Sequence, residues 1–253
     1  MTYIVMLGTA GSGKTLLTKA FAEWLRNNGY KVAIINLDPG VRKLPYKPNL
    51  DIREYFTVEE IMEKYNLGPN GAFMKASDLL LKYSNKILLN KVFLGETHDF
   101  VIIDTPGQME MFVYRSSGQY FISKLKKFGA IVGVFIVDGE NVNSHVDLVV
   151  SWMTSILIQL KLDIPVVPIV NKVDLVKDRK ILETFINDPE RFKEKILESK
   201  EGLIADTAVQ LIDVIRDFSQ ALRPIFVSAK TFEGLEDLHY VVHEVFCTCG
   251  DLT

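Results

Sequence analysis

The chain has 253 residues, 48% of them hydrophobic, and a net charge of -3 from Lys+Arg 29 against Asp+Glu 32. A chain of this size buries a full core, and the lack of basic excess argues against direct binding of nucleic acid or a polybasic membrane anchor. No apolar run approaches the roughly 20 residues that span a bilayer, and the opening residues lack a secretory pattern, so a cytoplasmic chain forming one domain over 1–253 is expected.

Short apolar runs alternate with helix-period segments, the pattern of an α/β three-layer fold with a mostly parallel central sheet. The first strand is expected over Tyr3 to Leu7 and leads directly into Gly8-Thr9-Ala10-Gly11-Ser12-Gly13-Lys14-Thr15. A second strand, Lys31 to Leu37, ends in Asp38-Pro39-Gly40, and an insertion follows from 39 to 98. Within it, helices are expected over Val58 to Tyr65 and Ala72 to Leu89, separated by Gly68-Pro69-Asn70, which reads as a turn that cannot continue a helix. The third strand, Phe100 to Asp104, runs into Thr105-Pro106-Gly107-Gln108. Further strands are expected over Ala130 to Asp138, Val166 to Asn171 and Pro224 to Ala229, with crossover helices starting near Lys14, Asn143, Asp174 and Glu233. The charged stretch from Val176 to Glu201, broken at Asp188-Pro189, reads as a second helical insertion with a solvated face. Cys247 and Cys249 read as reduced thiols, the alternative being a metal site shared between two chains. The four histidines are scattered, and His98 and His145 read as surface or capping residues; no His/Cys cluster suited to metal delivery is apparent.

The segment from Gly8 to Thr15 matches the P-loop pattern G-x-x-x-x-G-K-[ST] between a strand and a helix. Its glycines let successive N-H groups turn toward phosphates at a helix N-terminus. Gly8, Gly11, Ser12, Gly13, Lys14, Thr15 and Leu16 are therefore expected to line a nucleotide, with Lys14 on the β- and γ-phosphates and Thr15 on magnesium. Asp104 is expected to hold the magnesium shell and Gln108 to orient an attacking water. Asp38 is a second carboxylate for magnesium or water, or a turn-initiating Asp before Pro. In Asn171-Lys172-Val173-Asp174, the Asp174 carboxylate suits the N1-H and amino group of guanine, against which adenine offers an acceptor and a C-H. The Lys172 stem would cover the base, Asn171 would tie neighbouring loops together, and Ser228-Ala229-Lys230 would meet the guanine O6 through the Ala229 N-H.

With G-T-A-G-S-G-K-T, N-L-D-P-G-V-R, L-G-P-N-G-A, D-T-P-G-Q-M-E and N-K-V-D in this order, the chain resembles the GPN-loop GTPases, and more their archaeal members than the larger eukaryotic paralogues. The resemblance implies a P-loop NTPase fold and a homodimer whose nucleotide sites face the interface. The Gly68-Pro69-Asn70 loop of one subunit would reach the other's site, where Asn70 helps to hold phosphate. It also implies magnesium, and water positioning by Asp38 and Gln108. A role in assembling protein complexes, such as RNA polymerases, is suggested by resemblance only. Where the family usually has alanine after Asp-Pro, this chain has Gly40, from which a looser switch is expected.

The reading is magnesium-dependent hydrolysis of GTP to GDP and phosphate by in-line attack of water, with Lys14, the cation and loop N-H groups stabilising charge. Two alternatives stay open. One is a P-loop kinase with a small acceptor, drawing on Arg42, Arg53 or Arg115; the other is a GTP-binding assembly module that turns over slowly.

Overall fold

The computed structural model describes residues 1–94, 98–176, 178–199, 202–219 and 225–246. Its centre is a seven-stranded sheet in the order β3-β2-β4-β1-β5-β6-β7, every neighbouring pair parallel. The strands are β1 (Thr2–Gly8), β2 (Val32–Asn36), β3 (Leu50–Asp51), β4 (Phe100–Asp104), β5 (Ala130–Asp138), β6 (Val166–Asn171) and β7 (Ile225–Phe226). The central strands are almost wholly buried, as β-branched runs covered on both faces must be.

On one face lie α1 (Lys14–Asn27), which buries Leu17, Phe21 and Leu25 along one stripe, and a C-terminal helix over Leu235–Glu244 that buries Leu235, Leu238 and Val242. The other face carries α2 (Val58–Tyr65), α3 (Pro69–Leu88), α4 (Lys91–Leu94), α5 (Met109–Val113), α6 (Ser116–Leu125) and α7 (His145–Leu162). Beyond α7 come α8 (Arg179–Asn187), α9 (Pro189–Ser199) and α10 (Leu203–Ser219), so that the helix after β7 is α11. The chain leaves β1 toward β2 by way of α1 on one face, and leaves β4 toward β5 by way of α5 and α6 on the other. The carboxyl end of β1 is therefore a topological switch point, where open parallel sheets bind ligands.

Several boundaries differ from expectation. β3 is an added edge strand inside the first insertion, two residues long and so without a periodic signal. Pro69 and Asn70 open α3 rather than stand outside it: Gly68 is the N-cap and Pro69 takes the first position, where its missing N-H is one the helix would leave unbonded anyway. Helices α5 and α6 were not signalled, because α5 is a single turn and α6 starts on Ser116, Ser117 and Gly118, all weak helix formers. Asp174 lies in a 3-10 turn, Val173–Leu175, and the helix beyond it starts only at Arg179. The last strand is short, and Pro224, Cys247 and Cys249 lie outside the described residues. The second insertion is helical and broken at Asp188 as expected, but it is more than a solvated cover, since Phe192 and Ile196 are fully buried. His145 begins α7 with its ring edge-on to Phe192, 4.8 Å between centroids, behind a capping box of Ser144 and Asp147.

Register puts Asp51, Asn36, Asp104 and Met6 in one row across β3, β2, β4 and β1. Asn36, wholly buried, clasps this edge: its Nδ2 donates to Asp51 Oδ1 (2.9 Å) and to the Asp38 carbonyl (3.2 Å), and its Oδ1 accepts from the Asp38 N-H (3.0 Å). Replacing Asn36 by Leu leaves the part-buried Asp38 N-H and carbonyl without the Asn36 amide and takes one donor from Asp51, which keeps those of Arg53. The variant is expected to lose about 1–3 kcal/mol, read in urea as a lower midpoint at unchanged slope; an unchanged midpoint would contradict the clasp.

Candidate active site

The loop from Gly8 to Thr15 joins β1 to α1 at the switch point. Gly13 is its hinge into the helix, with φ 91°, and a Cβ there would stand 2.4 Å from Asn171 Nδ2, so the position excludes any side chain. The Ser12 hydroxyl is buried without a hydrogen-bond partner, Thr15 is half-buried, and Leu16 is exposed. Lys14 is buried and folds back over its own loop, donating to the carbonyls of Gly8 and Thr9 at 2.8 Å each. Burial lowers its pKa, while the nearby Asp104, Asp38 and Glu110 act in the opposite sense.

Asp104, 1% exposed at the end of β4, uses only half of its carboxylate. Oδ2 accepts from the Tyr46 hydroxyl at 2.7 Å, and Oδ1 is buried with no hydrogen-bond partner. Burial pushes its pKa up to about 6 and Asp38 adds to the shift, against the stabilising Tyr46 and Thr15 hydroxyls and Lys14. Asp38 joins two loops: Oδ1 accepts from the Gly40 N-H (2.8 Å) and Oδ2 from the Gly107 N-H (3.1 Å). Burial raises its pKa as well. Gly40 stands exposed in this turn. A Cβ there would lie 2.8 Å from Phe73 Cζ, so the glycine is what admits the Phe73 ring of α3 against the Asp38 turn. Behind the turn, residues of α3 and of both loops line an apolar cleft, among them Pro39, Phe73, Pro106 and Phe112. Gln108 is half-buried at the start of α5, and no hydrogen bond restrains its side chain among the described residues.

Asn70 is exposed in the first turn of α3, a helix that packs on α2, α5 and α6. It shares no hydrogen bond with Lys14, Asp38 or Asp104, so the fold brings those three together and leaves Asn70 facing outward.

On the other side of Gly13, Asn171 ties loops together as expected. Its Nδ2 donates to the Ser12 carbonyl (3.0 Å) and its Oδ1 accepts from the Ala229 N-H (3.2 Å). The Ala229 N-H is thus engaged by Asn171 rather than open to a base carbonyl. Asp174 is exposed, and Oδ1 accepts from the Ser228 hydroxyl at 2.7 Å, which leaves Oδ2 outward. Lys172, at φ 62°, lays its Nζ 2.7 Å from Asp138 and 3.6 Å from Glu140. Sequence reasoning missed these two carboxylates, and also Asn36, Tyr46 and Asp51; Arg53, considered only for a kinase lid, instead holds Asp51 and the Val41 carbonyl. The run Asn36-Leu37-Asp38 and the ends of β3 and β5 carried the only signal for them.

A family profile described as a conserved hypothetical ATP binding protein matches residues 6–248. A GPN-loop GTPase of Pyrococcus abyssi is 39% identical over 256 residues, 99% of either chain. The chain belongs to the GPN-loop GTPases. GPN-loop GTPase 1 of Dictyostelium discoideum is 32% identical over 92% of this chain and 59% of that longer protein. The crystal structure of the apo form of the Pyrococcus GTPase matches this one with a TM-score of 0.88 at 35% identity over 98% of both chains, so the sheet and its insertions are the P-loop fold of that family. Among the described residues, no helix is long and apolar enough to cross a membrane, and no His/Cys/Asp/Glu group of three or more is gathered for a metal ion.

The raised pKa of Asp104 fixes the sign of a pH effect. A carboxyl that holds its proton up to about 6 when folded, but to 3.8 otherwise, favours folding below pH 4 and loses that advantage as pH rises through 6, by up to about 3 kcal/mol. Asp104→Asn is therefore expected to raise the thermal midpoint of the ligand-free protein at pH 7.5, with the increment shrinking toward zero at pH 4. Equal increments at both pH values would contradict the burial penalty.

Proposed function

We propose that the chain is a GTP phosphohydrolase, and the observation that carries this reading is the Asn171 bridge. One buried amide holds the Ser12 carbonyl of the phosphate loop and the Ala229 N-H of the loop beside Asp174. Phosphate cradle and base-reading carboxylate are thereby set at a fixed separation, as a purine nucleoside triphosphate requires. The family profile's description names ATP and the relatives' names say GTPase. The carboxylate supports guanine: held by Ser228 on one oxygen, Asp174 can accept the N1-H and amino group of guanine, whereas adenine would leave it unpaired.

The donor set suits magnesium. One Asp104 oxygen is buried and unpartnered, the Thr15 hydroxyl favours the charged form of that carboxyl, and Asp38 is a second carboxylate nearby. When bound there, magnesium supplies neutralisation of charge on the β- and γ-phosphate oxygens. The chain's own groups do the rest. Lys14 exchanges its two loop carbonyls for phosphate oxygens, and the loop N-H groups hold charge at the N-terminus of α1. Gln108, unrestrained, turns to orient the attacking water, and Asp38 fixes the Gly107 backbone beside it.

In this reading the functional unit is a cytoplasmic homodimer of 1–253 single-domain subunits, switching between GTP and GDP states in the assembly of protein complexes. What supports the dimer is that the turn at Gly68 to Asn70 is exposed and unbonded to its own site. A second subunit's Asn70 would add a donor at the transferring phosphoryl group. Phosphate release is expected to prefer GTP over ATP, to rise per subunit with protein concentration, and to fall about 10-fold or more in Asn70→Ala. Turnover independent of concentration and of Asn70 would remove the trans-acting dimer; absence of any GTP preference would remove the GTPase reading.

A further inference from the structure

The stretch from Val41 to Asn49 has no helix or strand, yet three fastenings hold it across the carboxyl edge of the sheet, and an exposed ion pair from Arg42 Nε to Glu59 (3.0 Å) ties it to α2. At its start, Arg53 Nη1 donates to the carbonyls of Val41 (3.1 Å) and Arg42 (3.2 Å), while Nε and Nη2 hold the Asp51 carboxylate at 3.0 and 2.6 Å. At its end, Asn49 exchanges hydrogen bonds with Ile34 of β2: its N-H donates to the carbonyl at 2.7 Å, and its Oδ1 accepts from the N-H at 2.9 Å. In the middle, the half-buried Tyr46 packs its ring on the core beneath α1 and donates its hydroxyl to Asp104 Oδ2.

The other fastenings end on backbone, on Asp51 or on the exposed Glu59. Only the middle one ends on a group that the proposed chemistry uses. It also fixes how that group is presented, because a carboxylate held at Oδ2 by a rigid phenol has one orientation, and Oδ1 is then the oxygen left buried and unbonded. A hydrogen bond to the charged form favours ionisation, in a site whose burial otherwise pushes the carboxyl toward its neutral state.

We propose that Tyr46 is a positioning residue for the cation site. Its hydroxyl turns Asp104 so that Oδ1 faces the cation's hydration shell, and through the same bond cation binding orders the 41–49 segment. This rests on the reading of Asp104 as the carboxylate that faces magnesium.

The test uses full-length Tyr46→Phe, which keeps the ring in the core and removes only the donor, together with Asp104→Asn. Dissociation of N-methylanthraniloyl-GDP is followed over a magnesium series, and amide exchange is followed with and without magnesium. In the wild type, magnesium is expected to slow release and to protect amides 41–49. In Tyr46→Phe the magnesium midpoint is expected to rise about tenfold, and protection of 41–49 to fall while that of 8–15 persists. Magnesium-free release is expected to stay unchanged. An unchanged magnesium midpoint in Tyr46→Phe overturns the proposal, as does equal acceleration with and without magnesium, which would make the hydroxyl a structural fastening only. Release that ignores magnesium in both wild type and Asp104→Asn overturns the underlying reading of Asp104, and the proposal with it.

Discussion

Three buried or half-buried charges meet at the switch point of the sheet, and they do not balance. Lys14 faces Asp104 and Asp38, one ammonium against two carboxylates, in a place where burial raises both acids and lowers the base. An uncompensated charge out of water is costly unless hydrogen bonds or a counter-ion offset it. Much of the surrounding structure is an answer to that constraint. Asp38 draws in the N-H groups of Gly40 and Gly107, Asp104 draws in Tyr46, and Lys14 is parked on two carbonyls of its own loop. These partners come from four different segments. The charge imbalance therefore draws together the second-strand turn, the 41–49 stretch, the loop after β4 and the phosphate loop.

The same constraint separates what could be read in the sequence from what could not. Strands covered on both faces announce themselves as short apolar runs, so β1, β4, β5 and β6 were legible within a residue or so. Motifs at their carboxyl ends were legible because each residue type has a chemical reason to stand there. β3 was not, since a two-residue edge strand has no period, and its place is set by Asn36 and Asp51 meeting side by side. Tyr46 was not, because nothing in the local sequence says that a tyrosine 58 positions before Asp104 will end on its carboxylate. Gly40 was legible only as a departure. Its meaning depends on Phe73, which reaches the turn from another element.

The insertion between β2 and β4 supplies that second element. Its helix α3 opens with Pro69 and Asn70 and, one turn later, presses Phe73 on the Asp38 turn, while its middle packs on α5 and α6, which follow Gln108. A displacement of α3 would thus be felt by both loops that hold the carboxylates.

In the proposed function, this charged crevice and the Asp174 carboxylate form one guanine nucleotide site. The most direct measurement is calorimetric binding of GDP and ADP, with magnesium, to the wild type and to Asp174→Asn. GDP is expected to bind at least about 100-fold more tightly than ADP in the wild type, and most of that ratio to vanish in the variant while ADP binding is unchanged. Equal affinities in the wild type, or a ratio untouched by Asp174→Asn, would contradict it.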